Sequence, residues 1–194
     1  MSHSSQPAPA LRLGASQTTF PEFFWRVTAC HVVTYFLAGI LAYYLFDYRT
    51  FLQTGPLGSL MRPMTSKWVA AGPGFQVIRG LIFSLVLYPF RHVFLEEGRG
   101  WLKLWGLFLG LAILSTAGPS PGSLEGLVYT KLLPLDHLRG LPEVVVQTSA
   151  LAALLVRWYH APRRAWTIVM GVAVGLVLLM SLAGLLVERP EAFR

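Results

Sequence analysis

Acidic residues are few in this chain, lysine is rarer still, and cysteine is almost absent. Nine Asp and Glu stand against 16 Lys and Arg, for a formal net charge of +7. In a soluble protein that imbalance would point to nucleic acid. Here the basic residues are scattered through short connections between apolar segments, where they anchor a chain to anionic headgroups, so no nucleic-acid partner is expected. The one cysteine, Cys30, excludes an intrachain disulfide and a cysteine-based metal pair; within an apolar run it reads as a small packed residue. No Gly-rich nucleotide loop, HExxH, GxSxG or cysteine cluster occurs in the sequence. The chemistries that those motifs serve have no signature here, so no catalytic residue and no metal site is expected.

Long apolar runs, in contrast, dominate. Residues 166–187 read WTIVMGVAVGLVLLMSLAGLLV, without a charge, and about 20 such residues cross the ~30 Å hydrocarbon core. Inside it a backbone satisfies its polar groups only as a helix or a closed barrel. With 54% hydrophobic residues and a mean hydropathy of +0.55, the chain is expected to be all-α: a polytopic membrane helical bundle. Its domain, 24–188, would hold about five spans, near 25–46, 75–95, 101–117, 141–159 and 166–187. A polar Ser/Pro-rich tail, 1–23, precedes it and a short tail, 189–194, follows. The N-terminal tail lacks the basic start and apolar core of a signal peptide, so the first span is expected to stay as an anchor. Pro89 predicts a kink near the end of the second span.

Five spans would put the termini on opposite sides. Basic residues nearly balance between the two orientations. The two shortest loops, 96–100 and 160–164, carry the rule best and favour a cytoplasmic N-terminus. The usage of Leu, Gly, Ala, Arg and Pro with scarce Lys matches a GC-rich bacterial coding bias, so a multi-pass protein of the bacterial inner membrane is expected. Two long connections, 48–71 and 118–140, would then lie outside, and connections of this length are commonly functional. In the second, Leu124, Leu127, Val128 and Leu132 recur at helical spacing after a turn signal, predicting a short interfacial amphipathic helix over 123–133.

Arg79 is the leading candidate for function, because an ionised group within a span is costly and normally has a partner. It is expected ~10 Å below the outer surface. Candidate companions on that side are Asp47, Gln76, Glu125, Tyr129, Glu143 and Gln147, with Glu143 and Gln147 four apart and on one helix face. The ordinary outcome for such an arginine is a structural ion pair or snorkelling to the interface; the alternative is a ligand-binding pocket roofed by 118–140. His31, His92 and His160 lie near matched span ends, and two facing imidazoles are what a bis-histidine haem needs. No cofactor is otherwise expected. GxxxG occurs at Gly106/Gly110 and Gly171/Gly175, a spacing that lets helices approach closely within the chain or across to a partner.

Four functions fit these features. The leading expectation is a small non-catalytic subunit packed, beside the lipid bilayer, with other membrane subunits or with itself. The others are a small transporter or channel with an outer-side site around Arg79, a haem- or quinone-binding redox subunit, and an enzyme acting on lipid headgroups through Glu125 or Glu143.

Overall fold

The computed structural model describes residues 18–114 and 120–186, and among them every regular element is helical. Five helices build the body: α1 (Phe20–Leu45), α4 (Lys67–Leu87), α5 (Gly100–Leu114), α8 (Leu141–His160) and α9 (Arg164–Leu186). Four short ones, α2 (Tyr48–Phe51), α3 (Gly55–Gly58), α6 (Leu124–Tyr129) and α7 (Pro134–Arg139), gather at one end. We call that end the roof and the opposite end, where α1 begins, the base.

Four stretches are long and apolar enough to cross a membrane: Phe20–Leu45, Lys67–Phe90, Pro134–His160 and Arg164–Leu186. The expected third span is where the count of five changes. Its described part, α5, has 15 residues, about 22 Å at 1.5 Å per residue, short of the ~30 Å core; positions 115–117 lie outside the described residues, as do position 187 and the C-terminal tail. The expected fourth span, the most polar of the five by sequence, is a continuous helix that packs on α1 and α5. Other boundaries move outward. The first helix begins at Phe20 rather than at 25, because Thr19 is extended and Pro21 fits a first turn, where its missing N–H leaves no bond unmade. The second begins at Lys67, eight residues before the expected start, and carries Pro73 in its interior. Membrane helices accept proline because neighbouring helices and side chains reorganise around the freed carbonyl. Pro89 does end the regular helix: Tyr88–Phe90 tighten to a 3-10 turn and His92–Glu96 widen to a π turn before α5.

The centre of the bundle is α1. A helix packed on one face buries every third or fourth residue, yet Val27, Thr28, Ala29, Cys30, His31 and Val32 are buried in succession, so α1 is surrounded. It packs on α4, α8 and α9, while α5 reaches the bundle through α8. Successive long helices alternate in direction, since Phe23 at the base meets Tyr88, Tyr159 reaches Glu96 and Gly184 meets Ala70 near the roof.

Close approach falls outside the GxxxG pairs. A β-carbon added to Gly80 would lie 2.8 Å from Thr28 Cα, and one on Gly184 2.7 Å from Ala70 Cβ. At Gly106, Gly110 and Gly175 such a carbon meets nothing within 4 Å, and at Gly171 it only touches Trp25. Gly80→Ala is therefore expected to force α4 away from α1 and to cost about 1–3 kcal/mol, the usual penalty of overpacking. Thermal unfolding in detergent should show a clearly lowered midpoint for Gly80→Ala and none for Gly106→Ala; equal midpoints would refute the close-packing assignment.

Candidate functional site

The face of α4 that meets α1 carries Gln76, Gly80, Ser84 and Leu87, spaced four, four and three apart. That register turns Arg79, Ile82, Phe83 and Val86 toward α5. Yet α4 and α5 scarcely touch along their backbones, and the Phe83 and Phe108 rings, 4.9 Å between centroids, meet between them. The wedge that remains is a cavity of about 730 Å3, in the size range of small-molecule sites. Its floor is α1 and α8, its sides are α4 and α5, and its top is the roof, with Phe51, Leu57 and Met61 above and Gly122, Asp136 and Gly140 beside them.

Polar groups line the upper part of this cavity. His31 and Tyr35 come from one face of α1, four residues apart. Arg79 comes from α4, and Glu143, Gln147 and Thr148 from α8, with Tyr48 descending from α2. A β-carbon on Gly39, the next position of the same α1 face, would sit 3.9 Å from Glu143 Oε1, so the carboxylate overlies α1 near the roof. Burial first, then its interaction with this carboxylate, push the phenol of Tyr48 well above its ordinary pKa. Tyr35 stands within electrostatic reach of both Glu143 and Arg79.

Arg79 lies 12 residues along α4 from Lys67, about 18 Å, and not the ~10 Å expected from a later helix start. Its guanidinium is exposed and 5.7 Å from the Phe83 ring centre. The ion pairs among the described residues are His92–Glu96, Lys103–Glu97 and Arg139–Asp136. Neither Arg79 nor Glu143 belongs to one, although both line the same cavity. The dry structural pair that is the ordinary fate of such an arginine is not what surrounds it.

Of the other expected companions, Gln76 acts one step back. Its Nε2 donates to Gly72 O, so its Oε1 faces His31 and accepts from His31 Nε2–H at 3.1 Å. The bond places a proton on His31 Nε2, while Nδ1 is buried and without a hydrogen-bond partner among the described residues. Asp47, Glu125 and Tyr129 are not brought in. Asp47 holds the left-handed turn into α2 (φ 46) and is exposed, while Glu125 and Tyr129 point outward from α6. The histidines separate: His31 is buried mid-bundle, whereas His92 is at the base. There His92 Nδ1 lies 2.6 Å from Glu96 Oε2, and Tyr159 OH donates to Glu96 Oε1 at 2.7 Å. These two bonds draw the Glu96 carboxyl below its ordinary value. Among the described residues His31 is the one imidazole lining the cavity, so none of the others faces it there. No group of three or more His, Cys, Asp or Glu suited to a metal occurs among the described residues.

The roof differs from the single interfacial helix expected over 123–133. Ser123 caps α6 by accepting from Gly126 N, but the helix stops at Tyr129, and Thr130 is extended. Pro134 starts α7, where Asp136 Oδ2 accepts from Leu133 N. Between the two lies His137, buried at 4% exposure. Its Nδ1 accepts from Gly122 N at 3.1 Å and its Nε2 faces Thr130 Oγ1 at 3.4 Å. The spacing pattern held no signal for this staple, because it joins residues 15 apart across a turn. Tyr35 was legible in principle, one helical turn beyond His31, and Tyr48 was not.

No protein-family model matches this chain, and neither a curated protein nor a solved structure shows significant similarity to it.

His137→Leu should release the roof, because it strands the half-buried Gly122 N–H, at a cost of about 1–3 kcal/mol. Hydrogen exchange of amides in 120–140 should accelerate while those of α1 stay protected. Unchanged exchange in that segment would show that the staple contributes nothing.

Proposed function

We propose that this chain is a small multi-pass membrane protein that takes an amphipathic ligand sideways from the bilayer into the cavity between α4 and α5, in the manner of a small transporter. One observation carries the reading: a single cavity joins a charged, hydrogen-bonding upper wall to an apolar wedge between two helices that do not close on each other. The wedge walls Ile82, Val86 and Leu111 are exposed as well as lining the cavity, which fits a wedge open to the lipid, through which a tail enters without passing the roof. Polar groups at one end of an otherwise apolar pocket orient a ligand and give specificity. The proposed setting is a bacterial inner membrane with the roof outward and the N-terminus cytoplasmic. Arg99 and the Arg163–Arg164 pair in the short base loops support that orientation.

The test is native mass spectrometry of the protein released from membranes in mild detergent. One lipid-like molecule per chain is expected on the wild type, and Leu111→Trp, which fills the wedge, should lower that occupancy about tenfold. A wild-type chain that carries none at any detergent concentration refutes the reading.

A second reading, a non-catalytic subunit of a larger membrane assembly, is supported by the open positions of Gly106 and Gly110 on α5, where another helix could approach closely. It is compatible with the first. Gly106→Leu with Gly110→Leu should dissociate the assembly on native gels while leaving the wild-type unfolding midpoint; a complex that survives the pair excludes this face as the interface.

A further inference from the structure

The charges in the cavity say what kind of head it would hold, and this step rests on the ligand-binding reading above. Arg79 and Glu143 have opposite sign, line one cavity, and form no ion pair with each other or with any described residue. A purely anionic head would satisfy Arg79 and be repelled by Glu143, and a purely cationic head would do the reverse. A neutral head would leave both without an oppositely charged partner while displacing water from them, the costly arrangement.

The two charges also have an order. Glu143 overlies Gly39 near the roof, where Tyr48 reaches it, while Arg79 lies deeper, on the turn after Gln76, which is bonded to His31. Gly39 and His31 are eight residues apart on α1, about 12 Å along its axis. Below Arg79 the same face of α4 is apolar through Ile82 and Val86. From the wedge upward the walls therefore run apolar, cationic, anionic. Around Glu143 the neighbours favour N–H donors: Gln147 lies one turn on, on the same face, and Thr148 Oγ1 already donates to Val144 O, leaving its lone pairs as acceptors.

We propose that the cavity binds a lipid with a zwitterionic amine headgroup. Its tail occupies the wedge, its phosphate sits at Arg79 and a primary ammonium reaches Glu143 and Gln147. Arginine suits the phosphate by presenting paired donors. The primary ammonium supplies the N–H donors that a quaternary ammonium lacks.

Purified protein, delipidated and returned to detergent, is titrated by native mass spectrometry with three lipids of identical acyl chains, headed by phosphoethanolamine, phosphocholine and phosphoglycerol. Water-soluble phosphoethanolamine is the fourth probe. The phosphoethanolamine lipid should bind about tenfold more tightly than either other lipid, the scale of one charge-assisted hydrogen bond. Glu143→Gln should erase its advantage over phosphocholine, Arg79→Gln should weaken all three lipids, and Val146→Ala, on an exposed α8 position, should change nothing. Three lipids binding alike would overturn the headgroup assignment and leave the cavity reading standing. Binding of soluble phosphoethanolamine as tight as that of its lipid would overturn the lipid source, and no binding of any probe would overturn both readings. Circular dichroism of each variant separates a lost site from a lost fold.

Discussion

The contact of Gly80 with Thr28 sets the rest of the bundle. With no β-carbon at Gly80, α4 lies against the backbone of α1, and this one approach fixes the rotation of α4 about its own axis. Gln76, one turn away on the same face, then meets His31. Arg79, about 100° round the helix, cannot share that face and turns toward α5. A larger residue at position 80 would tilt α4 outward, separating Gln76 from His31 and closing the wedge in which Arg79 stands. The site is thus a consequence of helix packing in lipid, where small residues rather than hydrophobic transfer bring backbones together.

Much of the architecture was legible because bilayer physics writes it plainly. Long uncharged runs must be helices, and Trp25, Pro89 and the charged rims mark where they turn or end. What changed is instructive. The start of α4 lies upstream of the apolar run: Gly72, Pro73 and Gly74 are poor helix formers by propensity, yet in a packed membrane helix they continue the helix from Lys67. The GxxxG pairs were legible as a pattern and silent about use: the packing glycines are Gly80 and Gly184, neither in such a pair.

The site was half legible, for a similar reason. Arg79, Glu143 and Gln147 announce themselves as polar groups within or beside spans, and they line one cavity. Glu125 and Asp47 announce themselves equally well and point elsewhere, because which way a residue faces depends on where a short helix ends and on a single left-handed turn. Tyr48 and His137 gave no periodic signal. Their roles arise from contacts between segments far apart in sequence, which one-dimensional spacing does not encode.

Two opposite charges lining one cavity at low dielectric attract strongly, so their remaining apart needs a cause. Part of it is rigid. Arg79 and Glu143 sit on two helices that are each packed against α1, with Tyr48 beside Glu143. The rest is solvation. A charge without a partner stays ionised only where water or a polar ligand replaces the missing contacts, and 730 Å3 is room for about two dozen waters at liquid density. Were the wedge dry, the arginine side chain, long and flexible, would fold upward onto Glu143 and the space would collapse. On the proposed reading, the wedge is a polar compartment at its roof end, and the apolar walls below Arg79 would orient an entrant from the bilayer with its head against those charges.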